Sequence, residues 1–143
     1  MSAAGGGTPG EHPPLEGVHE SALYAADLAQ AERFWAALGL PLVGRLAGRH
    51  VFFRAGRDLL LIFDPATTAM TGGAVPPHGA RGAGHVALSV PDSVALEAWR
   101  ARLADASVDI EAEVVWPTGG RSLYFRDPAG NSIELITRGS WGF

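Results

Sequence analysis

The sequence predicts an α+β fold made of two β-α-β-β-β modules, and three observations carry that prediction. First, the chain repeats itself: laid 65 positions apart, "ESALYAADLAQAERF" faces "HVALSVPDSVALEAW", so Asp27 falls on Asp92 and Glu32 on Glu97. Laid 72 positions apart, "GRHVFFR" faces "GRSLYFR". Second, each copy holds one stretch with helical spacing among several short stretches rich in β-branched and aromatic residues. Third, a Gly- and Pro-rich run over 64–84, "DPATTAMTGGAVPPHGARGAG", separates the copies; a loop that long in a small domain is usually functional or mobile.

Taken in order, residues 1–15, "MSAAGGGTPGEHPPL", have no period and are expected to be a disordered leader. "VHESALYAA" (18–26) reads as a strand. Asp27 then caps a helix, with Gln30 three positions on. Leu28, Ala31, Phe34, Trp35 and Leu38 recur at helical spacing, and Gly39 ends the helix. "LPLVGRL", "RHVFFR" and "DLLLIF" follow as strands, the last two joined by "AGRD". The second copy repeats the order: "GHVALSVPD" as a strand, Asp92 as a cap, and Leu96, Trp99 and Leu103 on a helix. "VDIEAEVVW", "RSLYFR" and "SIELIT" complete it as strands. The expected boundaries are a leader at 1–15, a first module at 16–69, a linker at 70–82, a second module at 83–140 and a tail at 141–143.

Composition narrows the chemistry. A chain of 143 residues suits one domain, or two small modules sharing a core. Its 47% apolar content, with four Trp and six Phe, can support a folded globule. No apolar run approaches the roughly 20 residues that span a bilayer, and the N-terminus lacks the pattern of a secretory signal. A cytoplasmic protein with no membrane partner is expected. The formal net charge of −4, with eleven unclustered Arg, argues against a nucleic-acid partner. The chain has no Lys and no Cys, which removes lysine Schiff bases, thiol nucleophiles, disulfides and thiolate metal sites. Any metal would be held by His, Asp or Glu.

The repeat then sorts the polar residues. Side chains alternate along a strand, so Val86, Leu88 and Val90 form an apolar face for the helix, and His85, Ala87 and Ser89 take the other. At the offset of 65, Glu20, Ala22 and Tyr24 share that second face. Glu134 stands between Ile133 and Leu135 in the last strand, and an offset of 74 makes Leu60 its counterpart. Four equivalent positions result: Glu20, Leu60, His85 and Glu134. Each polar residue has an ordinary explanation alone, as a solvated Glu20, a satisfied His85 or an Arg-paired Glu134. Together they make a possible ligand set, because grouped carboxylates away from water are costly and a cation relieves both desolvation and repulsion.

The paired modules, "GHVALSV" and "YFRDPAGNSIEL" resemble the vicinal oxygen chelate superfamily, which includes glyoxalase I, bleomycin-binding resistance proteins and extradiol dioxygenases. The resemblance spans about 16–138. It implies a U-shaped mixed sheet around a cavity, and a homodimer. It also implies metal ligands at Glu20, His85 and Glu134, with Leu60 replacing a fourth. The cofactor would be a divalent ion among Mn, Fe, Ni, Co, Mg and Zn, which polarises adjacent oxygens of a small-molecule substrate. Glu134 or Glu20 would serve as the catalytic base. Glu–His–Glu departs from the 2-His-1-carboxylate set of Fe(II) oxygenases and so disfavours a dioxygenase. The absence of Lys disfavours a thiol transferase.

Alternation and the hairpin turn place Tyr124 and Ser122 beside Glu134, and Phe52 and His50 beside Leu60. With His78 and Arg81 of the linker, these are the expected substrate-binding residues; for Phe52, ordinary packing is the competing reading. The functional expectation is a metal-dependent lyase or isomerase acting on a small oxygenated metabolite. The alternative is a non-catalytic protein that sequesters a small molecule in the same cavity.

Overall fold

Eight strands in two separate sheets carry the fold in a computed structural model, which describes residues 12–143. The first sheet comprises β1 (Glu20–Tyr24), β2 (Leu42–Leu46), β3 (His50–Ala55) and β4 (Asp58–Phe63), in the order β1-β4-β3-β2. The second comprises β5 (His85–Val90), β6 (Ala112–Val115), β7 (Arg121–Arg126) and β8 (Ser132–Thr137), in the equivalent order β5-β8-β7-β6. Both are mixed: β1 lies parallel to β4 and β5 parallel to β8, while the other pairs are antiparallel. Much of the expected leader lies outside the described residues, and the strand expected over 18–26 is confined to Glu20–Tyr24.

Each sheet is crossed by a helix whose start is fixed by an aspartate. α1 (Leu28–Ala37) begins where the Asp27 carboxylate accepts the Gln30 N–H at 3.0 Å. α3 (Ser93–Asp105) begins where Asp92 accepts the Ala95 N–H at 2.8 Å. Leu38 closes α1, and Gly39 turns the chain away at φ +96°. A short helix, α2 (Pro65–Thr68), lies inside the run expected to be loop. Asp64 supplies its cap and Pro65 its first residue, a start that the chain's Asp-Pro dipeptide encodes.

One core joins the two copies. It holds Leu23, Val51, Phe53, Leu60 and Ile62 from the first sheet, with Leu123, Phe125, Ile133 and Leu135 from the second. Trp35 of α1, fully buried, lies 6.4 Å from Phe125 of β7, so the first helix packs across the modules as well as on its own sheet. Burying such side chains stabilises by roughly 1.5–3 kcal/mol each.

The register corrects one expectation. Ala22 pairs with Leu61 and Ala87 with Glu134; Phe52 pairs with Leu61 and Tyr124 with Glu134. The counterpart of Glu134 is therefore Leu61, and Leu60 belongs to the core face. The cause is the β3–β4 turn: Arg54 pairs with Leu59 while Arg126 pairs with Ser132, so the second turn is longer by one residue. A slip of one residue moves every side chain of a strand to the opposite face. Phe52 accordingly stands beside Leu61.

Candidate metal centre

The face of the second sheet turned away from the core gathers His85, Ser122, Tyr124 and Glu134, as alternation predicted. β8 carries Glu134 between the core residues Ile133 and Leu135, so its side chain alone points the other way. β7 sets Tyr124 directly opposite it, and β5 brings in His85 from the parallel side.

Two hydrogen bonds orient the carboxylate. The buried Ser122 hydroxyl donates to Glu134 Oε2 at 2.5 Å, and the Trp116 indole N–H donates to Ser122 Oγ at 2.8 Å. Glu134 is 6% exposed, and its other oxygen, Oε1, stands 3.3 Å from His85 Nε2. The imidazole is held from behind, because a carbonyl can only accept. His85 Nδ1 therefore donates to the Ser132 carbonyl at 3.0 Å, and a neutral ring turns the Nε2 lone pair toward Glu134. A lone pair facing a carboxylate oxygen needs a proton, on either group, or a metal ion between them.

The donor spacing fits a metal. Two ligands about 2.1 Å from one ion stand about 3.0 Å apart at a right angle and about 3.4 Å apart at a tetrahedral one, which brackets the observed 3.3 Å. Backbone anchoring of the far ring nitrogen and a hydrogen-bonded carboxylate are the usual supports of metal ligands. Tyr124 completes the face, its ring 6.4 Å from that of His85. Burial, and then the Glu134 carboxylate beside it, raise the Tyr124 phenol above its ordinary pKa, which keeps it a proton donor.

The turn "DPAGN" holds this arrangement from below. Asn131, almost fully buried, donates to Asp127 Oδ2 at 2.9 Å and accepts the Gly84 N–H at 2.7 Å, one residue before His85. It also reaches the Tyr24 carbonyl of β1 at 3.3 Å, which ties the two sheets together. The sequence marks this stretch as a turn, and its role in placing β5 against β8 emerges only from the fold. Trp116, on the loop before β7, ends the hydrogen-bond chain to Glu134.

The remaining expected site residues lie elsewhere. Glu20 is exposed on β1, in the other sheet. Among the described residues, no three His, Cys, Asp or Glu side chains stand together as a metal site, so one chain brings two of the three expected ligands into contact. His50 and Phe52 stack on the open face of the first sheet, while His78 packs against Phe63 and Tyr24, whose hydroxyl lies 2.7 Å from His78 Nδ1. Arg81 is exposed in the linker. A cleft of about 1050 Å³ opens between the modules on the helix side, walled by Leu60, Val90, Trp99 and Leu135 and away from the His85–Glu134 pair. No described helix is long and apolar enough to cross a membrane.

Two four-stranded mixed sheets of matching topology, with a histidine and a glutamate paired on the open face of one, define a paired-module protein with the glyoxalase-type fold. The chain belongs to the Glyoxalase/Bleomycin resistance protein/Dioxygenase superfamily, whose family model matches residues 17–135. Among solved structures it is similar to a lactoylglutathione lyase from Agrobacterium tumefaciens, at 40% identity and a TM-score of 0.86, covering 92% of this chain and 100% of that one. A glyoxalase/bleomycin resistance protein/dioxygenase from Nocardioides shares the fold at 22% identity and a TM-score of 0.66, covering 90% of this chain and 87% of that one. One from Alicyclobacillus acidocaldarius does so at 15% identity and 0.64, covering 85% and 91%. No curated protein matches the chain.

Proposed function

We propose that the protein is a divalent-metal-dependent lyase or isomerase acting on a small oxygenated metabolite. The observation that carries this reading is the His85 Nε2–Glu134 Oε1 pair at 3.3 Å, with the far side of each residue already fixed by Ser132 and Ser122. The likeness to the Agrobacterium tumefaciens enzyme supports the reaction class. His85 and Glu134 would hold the ion, with Glu20 as third ligand. Because Glu20 sits on the other sheet and does not join the pair within one chain, a second copy would supply it, making the protein a homodimer.

When bound, the ion supplies Lewis acidity toward two adjacent substrate oxygens. The chain supplies the rest. Glu134 is held by Ser122 through Oε2, whereas no side-chain hydrogen bond holds Glu20 within the described chain, so Glu20 would be the ligand carboxylate freer to detach and take a proton from the substrate carbon. Tyr124 keeps its phenolic proton through neutral pH and can donate it to a substrate oxygen.

One observation favours a second reading, a non-catalytic binding protein. Leu61, apolar and buried, occupies the position equivalent to Glu134, with Phe52 paired across from it and in ring contact with Phe63. Metal analysis separates the two. Protein purified without chelator should carry stoichiometric divalent metal, and His85→Ala and Glu134→Ala should each lose it. Metal retained in both variants refutes the site. Metal-free wild type that gains no thermal stability from Mn²⁺, Ni²⁺ or Zn²⁺ establishes the binding protein instead.

A further inference from the structure

The open face of the first sheet carries a second constellation, built at the positions equivalent to the metal centre but from different side chains. Where the second sheet has Ser122 and Tyr124, the first has His50 and Phe52, whose rings stack at 3.9 Å and 9°. Phe63 stands edge-on to both, and His78 of the linker edge-on to Phe63 at 4.7 Å. Tyr24, His50 and Phe52 are all half-buried, so part of each ring stays open to a ligand.

Arg49 makes this face selective for charge. Its counterpart, Arg121, binds the carboxylates of Glu97 and Glu113 at 2.7 and 2.8 Å. Among the described residues Arg49 has no such partner. Its guanidinium lies 5.5 Å from the centre of the Phe63 ring and donates to His50 Nδ1 at 2.8 Å. The nearby Asp64 carboxylate caps α2 through Oδ1 and makes no ion pair with Arg49. A guanidinium cannot accept, so His50 must take the Arg49 proton on Nδ1 and, when neutral, carry its own on Nε2. Arg49 thus keeps unused donors in a half-buried aromatic setting, and His50 adds one more.

We propose that this face is a second ligand subsite, which takes the planar, carboxylate-bearing end of a small molecule. It rests on the proposed metal-dependent function only in that the opposite end of the same ligand would reach the second module. Anion binding at Arg49 needs no metal. The stacked rings favour an unsaturated or aromatic body, and the donors of Arg49 and His50 favour a carboxylate over a neutral amide.

The test titrates benzoate and its neutral analogue benzamide into the as-purified full chain, followed by amide chemical shifts. Benzoate should saturate and bind at least about tenfold more tightly than benzamide, the gain expected of a charge-assisted contact. Arg49→Gln should abolish that preference. Phe52→Leu should weaken both ligands together, which separates stacking from charge even if the arginine variant folds poorly. His85→Ala should leave benzoate binding intact. The proposal is overturned by no saturable benzoate binding, by equal affinity for the two probes in wild type, or by a preference that survives Arg49→Gln. Loss of benzoate binding in His85→Ala would also overturn it, by placing the carboxylate at the metal centre. Metal content is read separately, so either reading can fail alone.

Discussion

Ser122→Ala tests whether the chain Trp116–Ser122–Glu134 prepares a metal ligand. The hydroxyl is fully buried and makes both links, 2.5 Å to the carboxylate and 2.8 Å from the indole. Removing it takes away a hydrogen bond to a charged acceptor, about 1.5–3 kcal/mol, and leaves a half-buried indole N–H to find water. The sum is about 2–4 kcal/mol, and at roughly 3 °C per kcal/mol for a chain of this size the melting temperature should fall by about 6–12 °C. Metal affinity should fall as well, by about 10- to 100-fold, the usual effect of losing a group that orients a ligand. Scanning calorimetry reads the first effect and competition with a chromophoric chelator the second. Trp116→Phe should show a smaller loss of affinity, because the Ser122–Glu134 link survives. A Ser122→Ala protein that melts lower yet binds Zn²⁺ or Mn²⁺ as tightly as wild type would refute the argument, since the relay would then be purely structural.

Two further expectations follow from register and burial. Leu60→Glu places a carboxylate in the shared core beside Leu23 and Ile62; the lost burial, roughly 1.5–3 kcal/mol, plus several kcal/mol for the buried charge, is comparable to the whole stability of a small domain. Leu61→Glu puts the same group at the buried position equivalent to Glu134, on the face away from the shared core, and should destabilise less than Leu60→Glu and tighten metal binding; the reverse pattern in expression and metal titration would sink the register argument. The third expectation concerns pH. Burial, and secondarily the Arg49 charge, hold His50 below its ordinary pKa of 6.5. The unfolded chain therefore takes up a proton near 6.5 that the folded protein refuses until lower pH, so this group's contribution to stability is full above about 6.5 and falls with acidification. His50→Gln should flatten the decline in urea-unfolding free energy between about pH 7 and 5, and an unchanged slope would contradict it.

The arrangement of the second module's half of the candidate site was legible in the sequence because three of its determinants are local. Strand alternation put His85 opposite the apolar Val86, the hairpin put Tyr124 and Ser122 beside Glu134, and "DPAGN" announced the turn between them. The first module was harder, because offsets of 65 and 72 fix its first and third strands while the turn that sets its fourth differs by one residue. An offset of 74 sets Leu60 against Glu134, whereas the single extra residue of the second turn makes the offset 73 and sets Leu61 there, on the opposite face of the sheet. Trp116 and Asn131 carried no periodic signal, and the repeat aligns Arg49 with Arg121 without showing that the carboxylates stand beside Arg121 alone. Their roles depend on what a neighbouring strand or loop presents to them, and no spacing along the chain encodes that. The short helix at Pro65–Thr68 is masked in the sequence for a simpler reason, since the surrounding Gly and Pro hide a capped start.

Trp116 also makes the site visible to light. Of the four indoles, Trp35 is sealed in the core without a hydrogen-bond partner for its nitrogen, whereas Trp141 is 82% exposed. Trp116 alone among the described tryptophans has its N–H wired through one hydroxyl to the Glu134 carboxylate. Indole emission responds to the charge its nitrogen senses, so a chain with phenylalanine at 35, 99 and 141 would become a single-fluorophore reporter of that carboxylate. Quenching by a paramagnetic ion such as Mn²⁺, set against diamagnetic Zn²⁺, would then register occupancy without any label added to the protein.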